Sequence, residues 1–125
     1  MGGQIRTIRV AVTTVGGAGA ATGATESSER VEGYLEDLYV DCDVACPGTT
    51  DVLVRQVGRA ETIWARLNSN ADAHIVPRVA AVDATNAAIA GSFARRPLNG
   101  RLRVEVADCN AITDAVIVLC RVRTL

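Results

Sequence analysis

The sequence predicts an all-β protein, a single-domain antiparallel β-sandwich or jelly-roll-like barrel with an extended N-terminal strand or arm. Three observations carry that expectation. Near the C-terminus, GRLRVEVAD alternates Leu102, Val104 and Val106 with Arg101, Arg103 and Glu105, so one face of a strand is apolar and the other charged. The next run, DAVIVLCRVR, is apolar on both faces as far as Arg121, as a central strand should be. Upstream, short apolar runs are separated by turns rich in Gly, Pro and Asn, which gives about seven strands in all.

The elements follow in order. Gln4 to Val15 alternates Ile8, Val10 and Val12 against Arg9 and polar neighbours, a strand with one apolar face. It runs into GGAGAATGATESS, residues 16–28, which offers almost nothing to pack and reads as a flexible linker. The domains are therefore expected to be residues 1–28, a strand plus a Gly/Ala-rich linker, and residues 29–125, the sandwich. A strand on such a tether could pair with its own domain or add to the sheet edge of a neighbouring subunit.

VEGYLEDLYVDCD supports two readings. Val31, Leu35 and Leu38 fall at helical spacing behind a possible Ser28 cap, whereas Gly33, Tyr34, Tyr39 and Val40 favour a strand whose phase changes near Glu36 at a bulge. The strand is the preferred reading. ACPGTTD is turn chemistry, with Pro47 fixing φ and Gly48 admitting unusual backbone angles. Asp51–Val57 and Glu61–Leu67 form an expected hairpin around Gly58, followed by the polar turn NSNAD. His74–Val82 is a further strand containing Pro77, which suits an edge. Thr85–Ala90 carries a weak signal, for a strand or a short helical turn. DCNAITD joins the two C-terminal strands as a hairpin.

Composition narrows the function classes. A chain of 125 residues, 49% apolar, can bury one core without staples. It has no apolar run long enough to span a bilayer, and MGGQIRTIRV lacks the pattern of a secretory signal, so synthesis in the cytoplasm and no membrane partner are expected. All 13 basic residues are Arg. GC-rich coding accounts for this blandly; the functional alternative is that the planar guanidinium suits protein interfaces. With a net charge of −1 and no basic cluster interleaved with aromatics, no nucleic-acid partner is expected.

Catalytic and cofactor chemistry finds little support. Gly17, Gly19 and Gly23 mimic a dinucleotide-binding spacing, with Asp41 or Asp43 placed as a ribose ligand. The segment that should open an amphipathic helix is ATESSER, which has no apolar face, and no βαβ repeat follows. Cys42 and Cys46 form CxxxC, while Cys109 and Cys120 stand apart; free buried thiols are the leading reading, ahead of a disulfide and of a metal site. Cys120 shares the apolar rows of Val118 and Val122. His74 has no nucleophile or orienting acid in any motif and is expected at a surface or hydrogen-bonded position. Asp37, Asp41, Asp43 and Asp51 lack calcium-loop spacing and read as a solvated acidic rim. No enzyme, no metal and no cofactor are expected.

The candidate interface residues are Ile8, Val10 and Val12 on the N-terminal strand, Trp64, and the pair Arg95 and Arg96 before Pro97. Trp64 reads equally as core or as an interface anchor. The arginine pair reads as solvated charge or as a contact for an acidic partner.

Tyr39-Val40-Asp41, then Pro47-x-Thr49-Thr50-Asp51-Val52, then Pro77-Arg78 and the hairpin NGRLRVEVADCNAITDAVIV occur in an order that resembles small auxiliary virion proteins of tailed bacteriophages. The resemblance covers about residues 31–125; Cys42 with Cys46, and the N-terminal strand and linker, depart from it. It implies a β-sandwich cement or decoration protein that binds the major capsid protein. It further implies a homo-oligomer on the capsid surface of the virion, made in the host cytoplasm. The alternatives are a head–tail or tail-associated structural protein, and a carbohydrate- or receptor-binding sandwich, which would need several exposed aromatics.

Overall fold

The computed structural model describes residues 3–59, 62–82 and 84–124. Met1, Gly2, Leu125 and Glu61, the expected start of one strand, lie outside the described residues. Among the described residues the regular structure is all strand and is antiparallel throughout: β1 (Ile5–Val12), β2 (Ala21–Glu26), β3 (Val31–Cys42), β4 (Asp51–Gln56), β5 (Thr62–Arg66), β6 (Ala73–Ile75), β7 (Arg78–Val82), β8 (Ala88–Arg95), β9 (Pro97–Gly100), β10 (Leu102–Cys109) and β11 (Val116–Thr124). The all-β expectation holds, and the helical alternative for residues 31–42 is overturned.

Two sheets enclose one core. The first runs β1-β11-β3, and along the far edge of β3 it continues as β9 beside Val31–Tyr34 and as β6 beside Leu38–Val40. The second runs β2-β10-β4-β5. β7 and β8 form a separate two-stranded ribbon. The period-2 pattern explains which side chains meet. Val116, Val118, Cys120 and Val122 of β11 and Leu102, Val104 and Val106 of β10 all point into a single cluster. Each fully buried Val or Leu contributes about 1.5–3 kcal/mol of hydrophobic stabilisation, which makes this cluster the main source of the fold's stability.

The N-terminal expectation needs correction. β1 pairs with β11 along its whole length, from Ile5 opposite Arg123 to Val12 opposite Val116. Ile8, Val10 and Val12, expected at an interface, are buried in the core of their own domain. The tract 16–28 is not a linker either. After a turn at residues 16–20, Ala21–Glu26 pairs with β10 as an edge strand. Small residues suit it because the two sheets close on each other there: Val15 bridges Thr22, and a Cβ on Gly23 would lie 2.3 Å from the Thr13 carbonyl oxygen. The glycine spacing that mimics a nucleotide motif is the chemistry of this corner, and no helix follows it. Residues 3–28 therefore belong to the sandwich.

Other boundaries shift less. The strand expected over His74–Val82 breaks at Val76–Pro77 into β6 and β7, because Pro77 has no N–H to continue a ladder. The weak Thr85–Ala90 segment becomes a turn leading into β8.

Removing residues 1–28 should abolish cooperative unfolding, since it strips β1 from β11 and β2 from β10 and uncovers both inner faces. Circular dichroism melts check this; a truncated chain that still melts cooperatively would contradict the observed pairing.

Candidate functional site

The phase change in β3 organises the outer surface. Leu35 lies opposite Val122 and Asp37 opposite Arg121, so Glu36 is the extra residue of a β-bulge, as the sequence indicates. A bulge leaves backbone groups out of the ladder, and these must be satisfied otherwise. Arg78, at the start of β7, donates from Nη1 to the Glu36 carbonyl at 3.1 Å and to the Pro77 carbonyl at 2.8 Å. The Leu35 N–H donates to the Arg96 carbonyl at 2.9 Å. The Glu36 carboxylate accepts from Arg123 Nε at 2.8 Å and pairs with Arg95 Nη1 at 3.3 Å. Both ends of the β7–β8 ribbon are thus fastened to one bulge.

The ribbon itself projects. Every residue of β8 is exposed. Phe93, the single phenylalanine of the chain, is 68% exposed and Ile89 is 45% exposed. Residues 84–94 contain no charged side chain. Between the pairs Val82–Ala88 and Ala80–Phe93 the register widens, and Gly91 takes φ +76° there, a conformation that favours glycine. Such a bulge re-aims side chains and breaks the regular edge, so this ribbon presents side chains more readily than a pairing edge.

Beside the anchor, Asp37 forms a second polar joint. Arg121 grips it with two hydrogen bonds, Nε to Oδ1 at 2.7 Å and Nη2 to Oδ2 at 2.5 Å, and His74 Nε2 lies 3.0 Å from Oδ2. The His74 ring stacks on Tyr39 with centroids 4.2 Å apart, and the Arg121 guanidinium lies 5.6 Å from the Tyr39 ring. The Arg121 hydrogen bonds hold the Asp37 carboxyl below its ordinary value of 3.8 against the upward push of burial, with His74 assisting. This arrangement ties β3, β6 and β11 together across the outer face of the sheet. Asp37 is only 4% exposed, which corrects its placement in a solvated acidic rim. Asp43 and Asp51 act on turns instead, accepting from the N–H groups of Ala45 at 2.9 Å and Asn68 at 3.0 Å.

The remaining expected interface residues do not converge on one surface. Trp64 is half-buried against the core, with the Arg66 guanidinium 5.4 Å from its ring. Arg95 and Arg96 stand at the root of the ribbon, where their bonds to the bulge hold it in place. Phe93 and Ile89 were missed because they show no strand periodicity. The signal that could have found them is the uncharged run 84–94 carrying the one Phe. Among the described residues no group of three His, Cys, Asp or Glu side chains is placed to hold a metal. No protein-family model, curated protein or solved structure matches the chain.

Because Asp37 has a depressed folded value, its contribution to stability is present above its ordinary 3.8 and is lost as pH falls through the folded value. Asp37→Asn should cost about 1–2 kcal/mol near neutrality, with the half-exposed Arg121 and His74 limiting the loss. Below about pH 4 the variant should lose less further stability than the parent. Urea denaturation at neutral and acid pH measures both effects; equal acid sensitivity would contradict the role assigned to Asp37.

Proposed function

We propose that this chain is a non-enzymatic structural protein that binds a protein shell through its β7–β8 ribbon. The shell would be the major capsid protein of a tailed phage, which the protein would cement or decorate on the virion surface. The observation that carries the reading is the ribbon: an exposed aromatic and an exposed aliphatic side chain on an uncharged segment, held away from the core by a fixed root. Aromatic side chains are enriched at the cores of protein interfaces, where a few buried anchors carry most of the binding energy. The neighbours of Phe93 on β8 are Ser92 and Ala94, with Gly91 and Ala90 before them.

The rest of the molecule suits the role. A closed sandwich supplies a rigid body, and a ribbon of this size buries too little area for tight binding by itself. On a repeating lattice that weakness is tolerable, since several copies engaged at once, or a homo-oligomer with several ribbons, gain affinity through effective concentration. The resemblance in residues 31–125 supplies the choice of shell, and the ribbon supplies the means of attachment.

The test is co-sedimentation of the purified protein with expanded capsid shells, together with the thermal resistance of those shells. Binding and raised resistance support the reading; absence of both overturns it. Phe93→Ser combined with Ile89→Ser should weaken shell binding at least about tenfold, as loss of an interface anchor does. The double variant should leave the protein's own melting temperature nearly unchanged, because neither side chain is part of the core.

A further inference from the structure

Three of the four cysteines gather at one end of the sandwich, where β3 leaves the sheet and β10 finishes. Cys42 ends β3, Cys46 lies in the turn before β4, and Cys109 ends β10. The sulfurs of Cys46 and Cys109 are 3.9 Å apart although the residues are separated by 63 positions. Both residues are buried, at 3% and 0% exposure. Their meeting has a specific cause. The β10–β2 register shifts between Val106 and Cys109, and Asp108 adopts φ +52°, so the strand end turns Cys109 inward.

We propose that Cys46 and Cys109 form an oxidative cross-link site, in which a small-molecule disulfide converts the two thiols into one intramolecular disulfide. The bond would tie the β3–β4 turn to the end of β10. This inference stands independently of the shell-binding role. The sulfurs need to approach by about 2 Å to reach bonding distance. The turn can supply that movement. It is held by the Cys46 N–H bond to the Asp43 carbonyl at 3.0 Å, by Thr49 Oγ1 to the Asp108 carbonyl at 2.9 Å and by Asn70 Nδ2 to the Cys46 carbonyl at 2.8 Å. Its residues Val44, Ala45, Gly48 and Thr49 are exposed and lie outside both sheets.

The chemistry follows from that asymmetry. Cys46 is the entering thiol: opening the turn presents it to solvent and breaks its hydrogen bond to the Ala115 carbonyl, which spans 3.2 Å. Its thiolate attacks the S–S bond of the reagent, forming a mixed disulfide and releasing one reagent thiol. Cys109, fixed in β10, attacks the Cys46 sulfur of the mixed disulfide and releases the second. Two protein thiols are oxidised by two electrons, one reagent disulfide is reduced to two thiols, and both protein protons leave with them. While the turn is closed, burial and the neighbouring Cys109 push the Cys46 thiol up to about 12, so the reaction waits on opening. Cys120 is remote from this end, in the row of Val118 and Val122 on β11.

The test uses the full chain incubated with oxidised glutathione, followed by alkylation of remaining thiols and peptide mapping without reduction. Two thiols should stay alkylatable, Cys46 and Cys109 should appear in one cross-linked peptide, and the protein should remain a single chain on a non-reducing gel. The melting temperature should rise by about 10 °C, as closing a loop of this length predicts, and fall back with dithiothreitol. A double variant Cys42→Ala with Cys120→Ala should still cross-link, and Cys46→Ala should not. The wild-type map decides the matter if a variant fails to fold. Four alkylatable thiols even in mild urea, a stable glutathione adduct, a different cysteine pair, a link between chains, or a melting temperature that does not rise each overturns the proposal.

Discussion

The bulge at Glu36 is the constraint on which the outer architecture of this protein rests. One extra residue in β3 reverses the strand's parity, so Val31 and Leu35 face the core before it and Leu38, Val40 and Cys42 face the core after it. The same residue lets two different strands share one edge, β9 above the bulge and β6 below. It places Asp37 under Arg121 and offers backbone carbonyls and the Glu36 carboxylate to Arg78, Arg95 and Arg123. The projecting ribbon is a consequence of that gap in the edge. Its root is also where arginine has an advantage: a planar guanidinium with five donors can serve a carbonyl and a carboxylate in fixed directions, which a lysine ammonium cannot.

The sequence reveals faces better than addresses. Alternation along Leu102–Val106 and the apolar run in β11 identify buried strands because both patterns are direct records of burial. β1 was equally readable as a strand with an apolar face, yet alternation says nothing about which strand completes it. Its partner is β11, at the other end of the chain, and only the tertiary fold joins them. β2 was illegible for a different reason. Ala21, Gly23 and Ala24 have neither strand propensity nor an apolar stripe, and their place in a sheet depends on pairing with β10 and on close approach to Thr13. The tertiary fold selects small residues there, and small residues in isolation look like a linker.

The ribbon was hidden by the opposite effect. Its apolar residues are not buried, so no periodic pattern records them, and the widened register near Gly91 disrupts what alternation a hairpin would show. Arg95 and Arg96, an adjacent charged pair in the sequence, stand at the root of the ribbon. Exposed aromatic surface on a segment with no charge, in a chain whose net charge is −1, has little to discourage association. Within the monomer it lies outside the core cluster.

These features divide the molecule along β3. From the bulge at Glu36 to Cys42 is six residues, so the ribbon root and the cysteine-lined end lie about 20 Å apart on one extended strand. The root is held by arginine hydrogen bonds and ion pairs, partly exposed and sensitive to salt. The far end holds buried thiols and short hydrogen bonds in and around the β3–β4 turn. A covalent bond between Cys46 and Cys109 would stiffen the sandwich at this end, adding to the core packing and turn hydrogen bonds there, and would leave the ribbon's anchor untouched. Stability of the body and presentation of the ribbon can therefore change separately, because they depend on different interactions at different points of the same strand.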